Sequence, residues 1–136
     1  MKPKILIVDD SVETAQLLRE GLRKRNYDAE DLNSAKACLE RLRFGQIDII
    51  LTDFQMPEMN GVDATLAIRR AESRRGLPRT PILAVSANVM THQINEYLAA
   101  GMDAVVAKPV QAAVLFAEMQ KALSDRGGAP IAQAVG

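Results

Sequence analysis

The chain has 136 residues, 48% of them hydrophobic and 25% charged, the profile of one ordinary globular domain long enough to bury a core. Seventeen Lys and Arg balance seventeen Asp and Glu, and that zero net charge gives no electrostatic reason to expect a nucleic acid or a membrane surface as partner. The single cysteine, Cys38, excludes an internal disulfide and a Cys-rich metal site, and no stretch approaches the ~18 apolar residues of a membrane span.

The first apolar run, Ile5 to Val8, is unbroken rather than alternating, which suits a strand buried on both faces of a parallel sheet. It is too short for a signal peptide, and Asp9 and Asp10 follow at once, so a cytoplasmic location is expected. Ser11 is a predicted N-cap, opening a helix whose stripe is Val12, Ala15, Leu18 and Leu22. Tyr27 to Leu32 mixes apolar residues with Asp28, Glu30 and Asp31 and reads as a more exposed edge strand. A second helical segment holds Ala35, Cys38, Leu39 and Leu42, with Cys38 as a small core residue. The run Ile47 to Leu51 reaches Asp53, and ILTDFQMPEMNG then breaks regular structure twice, at Met-Pro and Asn-Gly.

A third helix is marked by Val62, Thr65, Leu66 and Arg69, with Arg69 facing outward. Arg69, Arg70, Arg74, Arg75 and Arg79 cluster in one segment, read as a solvated loop. Ile82 to Val85 is a strand ending in Ser86. Thr91 is the predicted cap of a fourth helix with Ile94, Tyr97 and Leu98, closed by Gly101. His92, in its first turn, is expected to face solvent. Ala104 to Ala107 ends at Lys108-Pro109, and Val110, Ala113, Val114 and Ala117 mark a fifth helix. After about Ser124 the chain turns rich in Gly and Ala, as a tail or linker stump does.

Strand and helix thus alternate five times, which predicts a doubly wound α/β domain with right-handed crossovers and its ligand site at the carboxyl ends of the strands. Asp9, Asp10, Asp53, Ser86 and Lys108 all fall at such ends. Taken singly, each has an ordinary reading: a cap for the next helix, a turn residue before Pro57, a surface lysine. Taken together, they converge on one rim. Three carboxylates in one place repel, so they take up protons or hold a cation. Oxygen donors suit Mg²⁺. A metal, an ammonium and a hydroxyl around one carboxylate form a pocket for a many-oxygened anion, the arrangement phosphoryl transfer needs. Asp53, central on a buried strand, is the candidate nucleophile, giving an acyl phosphate.

The motifs IVDDS, LTDFQMPEMNG, AVSAN and GMDAVVAKPV, in that order and spacing, resemble the receiver domain of two-component response regulators over about residues 4–123. QMPEMNG, SAN and GMD with KP are most similar to receivers of hybrid sensor histidine kinases. The resemblance implies a flavodoxin-like five-stranded parallel sheet of order 2-1-3-4-5 with five helices on both faces, a receiver domain over 1–123 and a tail over 124–136. It implies Asp53 as phosphoacceptor, and Mg²⁺ held by Asp10, Asp53 and the backbone carbonyl of Gln55, with Asp9 acting mainly through a bound water. Lys108 would pair with the phosphoryl group and Ser86 would bond one of its oxygens. The bond before Pro109 would be cis, which costs only ~0.5–1 kcal/mol before proline. Gln55 and Asn88 stand where relatives tune dephosphorylation. Val105 stands where relatives often carry a switch Tyr or Phe, so coupling of Ser86 to a rotating ring does not carry over.

The implied partners are a histidine kinase or histidine phosphotransfer domain and a downstream output protein or domain, with no direct nucleic acid and no membrane contact by this domain. The implied role is a signalling phosphoacceptor rather than an enzyme, free-standing or part of a hybrid histidine kinase. Two other readings remain open at this point. An aspartate-nucleophile phosphohydrolase characteristically has Asp-x-Asp after the first strand, where this chain has Asp9-Asp10-Ser11. A receiver-like binding module independent of phosphorylation would not need every acidic and basic site residue.

Overall fold

The computed structural model describes residues 2–9, 11–42, 47–53, 61–77, 79–86, 91–108 and 110–127, with backbone alone at 35, 53, 61, 91–93 and 125–127. The elements in chain order are β1 (Lys4–Val8), α1 (Val12–Lys24), β2 (Asp28–Leu32), α2 (Ala35–Arg41), β3 (Ile49–Asp53), α3 (Gly61–Arg75), β4 (Ile82–Ser86), α4 (Thr91–Ala99), β5 (Ala104–Ala107) and α5 (Ala112–Gly127). The strands form one sheet in the order β2-β1-β3-β4-β5, every neighbouring pair parallel. This is the expected doubly wound, flavodoxin-like architecture.

Strand periodicity divides the core in two. Leu6, Val8, Ile50, Ile82 and Ala84 pack with Cys38, Ala64, Ile68, Tyr97 and Met102 from the α2, α3 and α4 side. Ile5, Ile7, Ile49, Leu51, Leu83 and Val85 pack with Ala15, Leu22, Leu115 and Met119 of α1 and α5. Helices on both faces explain why the inner strands read as continuous apolar runs. The edge strands differ. β2 is ion-paired along its length, Asp28 to Lys4, Glu30 to Arg41 and Asp31 to Arg19, a charged edge that discourages pairing with another sheet. β5, read as fully buried, is the other edge, and only Val106 within it is buried.

Several sequence expectations shift. The third strand lies two residues later than Ile47 to Leu51 and includes Asp53 itself. Val12 is 56% exposed, so the α1 stripe rests on Ala15 and Leu22. The α5 stripe was out of phase: Ala113, Val114 and Ala117 face solvent, while Leu115 and Met119 are buried. An alanine-rich helix offers apolar residues on every side, and only volume distinguishes the side that packs. Ser11 caps α1 as expected, accepting from the Thr14 N–H, whereas Thr91 is the first residue inside α4 rather than its cap. α5 runs to Gly127, past the composition change at Ser124.

Three helices end alike. In α1, α3 and α4 a residue with positive φ follows the helix: Asn26 (68°), Gly76 (64°) and Gly101 (111°). The next N–H reaches back to the carbonyl five residues earlier, Tyr27 to Leu22, Leu77 to Glu72 and Met102 to Tyr97, the Schellman arrangement. At α4 it brings Met102 and Tyr97 into the core together.

Arg69 does not face out. It lies at the pole opposite the strand carboxyl ends, its side chain 16% exposed. Its guanidinium donates to the carbonyls of Gly101 and Thr80 and to the carboxylates of Glu72 and Asp103. Glu72 also accepts from the Thr80 N–H at 2.7 Å, and Asp103 from the Ile82 N–H at 2.9 Å. The planar five-donor fork of arginine suits such a junction, because it satisfies several otherwise orphaned acceptors at once. Across the molecule Tyr27 stacks on Phe116, ring centroids 6.2 Å apart, and Arg25 lies 4.4 Å over the same phenylalanine ring. These contacts tie the α1–β2 turn to α5.

Candidate functional site

The parallel register brings distant residues to one rim. Val8 pairs with Thr52, Asp53 with Val85, and Ser86 with Ala107. Asp9, one step past Val8, is therefore level with Asp53. Ser86 stands one step above Val85 on the next strand, and Lys108 follows Ala107 directly. The register thus sets Asp9, the backbone of Asp53, Ser86 and Lys108 at the same edge of the sheet.

Asp9 is 2% exposed and Ser86 3%. A buried carboxylate is costly unless charge and hydrogen bonds compensate it. Asp9 Oδ1 accepts from the Ser11 N–H at 2.8 Å, and Lys108 Nζ lies 3.9 Å from Asp9 Oδ2. That separation is too long for a hydrogen bond but close enough for a strong through-space attraction at low dielectric. Lys108 is 28% exposed at its side chain, so it lies between the buried carboxylate and the surface. The backbone fixes it there: the Lys108 N–H donates to the Ser86 carbonyl at 2.8 Å, and the Asp9 N–H donates to the Leu32 carbonyl at 3.0 Å.

Asp10, Gln55, Asn88 and Pro109, with the side chains of Asp53 and His92, lie outside the described residues. Among the described residues no group of three or more His, Cys, Asp or Glu forms a metal site; Asp10 and the Asp53 carboxylate, the other two acids named for the metal, are not among them. Val105, in place of a switch aromatic, is half-buried and packs against the α2–α3–α4 side of the core. Sequence reasoning missed the Ser11 N–H as an orienting group for Asp9. The spacing was readable, since an Asp commonly bonds the N–H two residues on. The arrangement offers an ammonium, a hydroxyl and buried acid at the ends of rigid strands, and it can bind an anion whose charge changes during a reaction.

A doubly wound domain with an acid–lysine rim defines the class, and comparison with known proteins gives the family. The model of the response regulator receiver domain matches residues 5–120, and the chain belongs to that family. It is 34% identical over 119 residues to the chemotaxis protein CheY of Pseudomonas aeruginosa, covering 87% of this chain and 94% of that protein. It is also 34% identical over 117 residues to the aerobic respiration control sensor protein ArcB of Escherichia coli, covering 86% of this chain. The chain spans only 15% of ArcB's length. The solved structure of Vibrio cholerae CheY4 superimposes with a TM-score of 0.83 at 26% identity, covering 90% of this chain and all of that one. No helix among the described residues is long and apolar enough to cross a membrane.

Proposed function

We propose that this receiver domain takes a phosphoryl group onto Asp53 from a phosphohistidine of a histidine kinase or histidine phosphotransfer domain. A carboxylate oxygen of Asp53 forms the bond to phosphorus, the phosphorus–nitrogen bond breaks, and the imidazole, already protonated on its other ring nitrogen in the phosphohistidine, leaves as the neutral base. The observation that carries the reading is the buried Asp9 carboxylate facing Lys108 Nζ at 3.9 Å, beside the register position of Asp53. Lys108 balances charge on the arriving phosphoryl oxygens, and the Ser86 hydroxyl donates to one of them. This neutralisation and positioning is most of what the transfer asks of a protein.

Mg²⁺ fits the oxygen-only donor set of Asp9, Asp10, Asp53 and the Gln55 carbonyl, and when bound it would screen the carboxylates from the phosphoryl group. With Asp9 Oδ1 already engaged by Ser11, Asp9 is placed to act through a water. The product changes the population of conformations around Ser86 and α4, to the extent that phosphate contacts differ between states. An output protein or domain would read that change. Cytoplasmic placement accords with this chemistry.

The test is incubation with Mg²⁺ and acetyl phosphate, followed by intact mass measurement. Asp53→Asn should remove phosphate incorporation that the native chain shows. Equal incorporation in both would sink the assignment. Transfer from a panel of phosphorylated kinases then identifies the donor.

A further inference from the structure

The C-terminal half of the outward face of α3 carries positive charge that no acid among the described residues pairs with. Leu66, Arg70 and Arg74 recur at four-residue steps and so share one side of the helix. All three are exposed, as is Arg75. The opposite side, with Ala64, Thr65, Ile68 and Glu72, is buried. Beyond the helix end Leu77 is 46% exposed, and Leu66 at the other end of the basic stretch is 41% exposed. Two of the segment's arginines are committed elsewhere, Arg69 to Glu72 and Asp103, and Arg79 to Asp103. Arg70, Arg74 and Arg75 make no ion pair among the described residues. A cationic last turn complements the helix dipole, but that role does not require exposed leucines on both sides of the charge.

We propose that this face is a docking surface for an acidic amphipathic helix of a partner protein, with carboxylates four residues apart meeting Arg70 and Arg74 and apolar side chains meeting Leu66 and Leu77. Guanidinium forks recognise carboxylates bidentately, and apolar residues at the ends of a charged stripe supply desolvated contact. The site lies on a helix flank away from the phosphoacceptor rim, so it goes beyond the phosphotransfer reading. Other occupants fit less well. A second copy packing α3 antiparallel over its C-terminal half, the part that holds Arg70 and Arg74, would oppose arginine to arginine. Residues 128–136 hold no acidic side chain. A lipid surface takes a helix by its apolar face, and that face of α3 is already against the sheet. Residues 61–79 contain no aromatic ring on which a nucleic acid base would stack.

The test titrates the full chain against a fluorescein-labelled helical peptide of alternating Glu and Leu positions at that spacing, with a Lys-for-Glu peptide, phosphatidylserine-containing vesicles and duplex DNA in parallel. The expected result is saturable binding of the acidic peptide alone, weakened by salt. Arg70→Glu with Arg74→Glu should lower affinity by about tenfold or more, while phosphate incorporation at Asp53 stays at the native level. Equal affinity of the charge-reversed chain, no saturable binding of the acidic peptide, or tighter binding to vesicles or DNA would overturn the proposal. Because Asp53→Asn leaves this face intact, failure here and failure of the phosphotransfer reading are separable.

Discussion

Two residues show how local chemistry sets testable behaviour. Lys108 supplies a counter-charge to the buried Asp9 at 3.9 Å. Lys108→Ala should destabilise the fold by about 1–3 kcal/mol, the scale of leaving a buried acceptor poorly compensated. Adding Asp9→Asn should recover part of that loss, as coupled neighbours do. Urea midpoints of the two single variants and the double variant measure it; strictly additive effects would show that the pair is not coupled. Cys38 makes the opposite case, a residue whose chemistry is suppressed. Burial pushes its thiol from 9.0 up to about 12, because the thiolate is not stabilised in the apolar interior. Since the folded value is raised, this contribution to stability is complete below pH 9.0 and disappears as pH climbs toward about 12, the unfolded chain ionising first. Iodoacetamide at pH 8 should therefore modify Cys38 only as fast as the protein opens, and denaturant should speed the reaction greatly.

At the scale of elements, the two glycine-ended helices separate backbone strain from crowding. Gly76 has φ +64° and open space where a Cβ would go. Gly101 has φ +111°, and a Cβ there would stand 3.2 Å from Arg69 Cγ and 3.3 Å from Arg69 Nε. Gly76→Ala should cost about 1–2 kcal/mol, the penalty of left-handed backbone for an L-residue. Gly101→Ala should cost more, about 2–4 kcal/mol, adding displacement of a pinned arginine to a backbone strain term. Thermal melts of both variants give the comparison, and equal losses would show that Arg69 yields freely. Most of this level was legible in the chain. Unbroken apolar runs and the Gly101 stop were sufficient to place β1, β4, β5 and the end of α4. What escaped depends on tertiary partners. Glu72 is a local partner one turn on from Arg69, but the carbonyls of Gly101 and Thr80 that also draw Arg69 inward lie 32 and 11 residues away, while Arg70 stays in solvent. The α5 phase was hidden for a related reason, since Val114 and Leu115 are both apolar and only the larger fills the gap beside Met119.

On the scale of the whole molecule, the rim was legible as a set before any of its contacts were known, because a doubly wound sheet sends every strand's carboxyl end to one side. Asp9 and Lys108, 99 residues apart in the chain, approach to 3.9 Å on that side. If Mg²⁺ binds the folded rim and not the unfolded chain, stability must depend on its concentration. At a hundred times the dissociation constant the gain is about 2.7 kcal/mol. Differential scanning calorimetry with and without Mg²⁺ should show the shift in the native chain and lose it in Asp53→Ala. A shift of equal size in both would remove Asp53 from the ion's ligands.

The Arg69 junction carries one more consequence. It joins the end of α3, the start of β4 and the turn before β5 through the carbonyls of Thr80 and Gly101 and through Glu72 and Asp103, whose carboxylates also accept from the N–H groups of Thr80 and Ile82. Those amides can trade their protons with deuterated solvent only when the knot unties. Arg69→Met, which keeps the stem's bulk, should let them exchange together and faster, while the β1 amides keep their native rate, so that the pole far from the strand carboxyl ends opens as a cooperative unit.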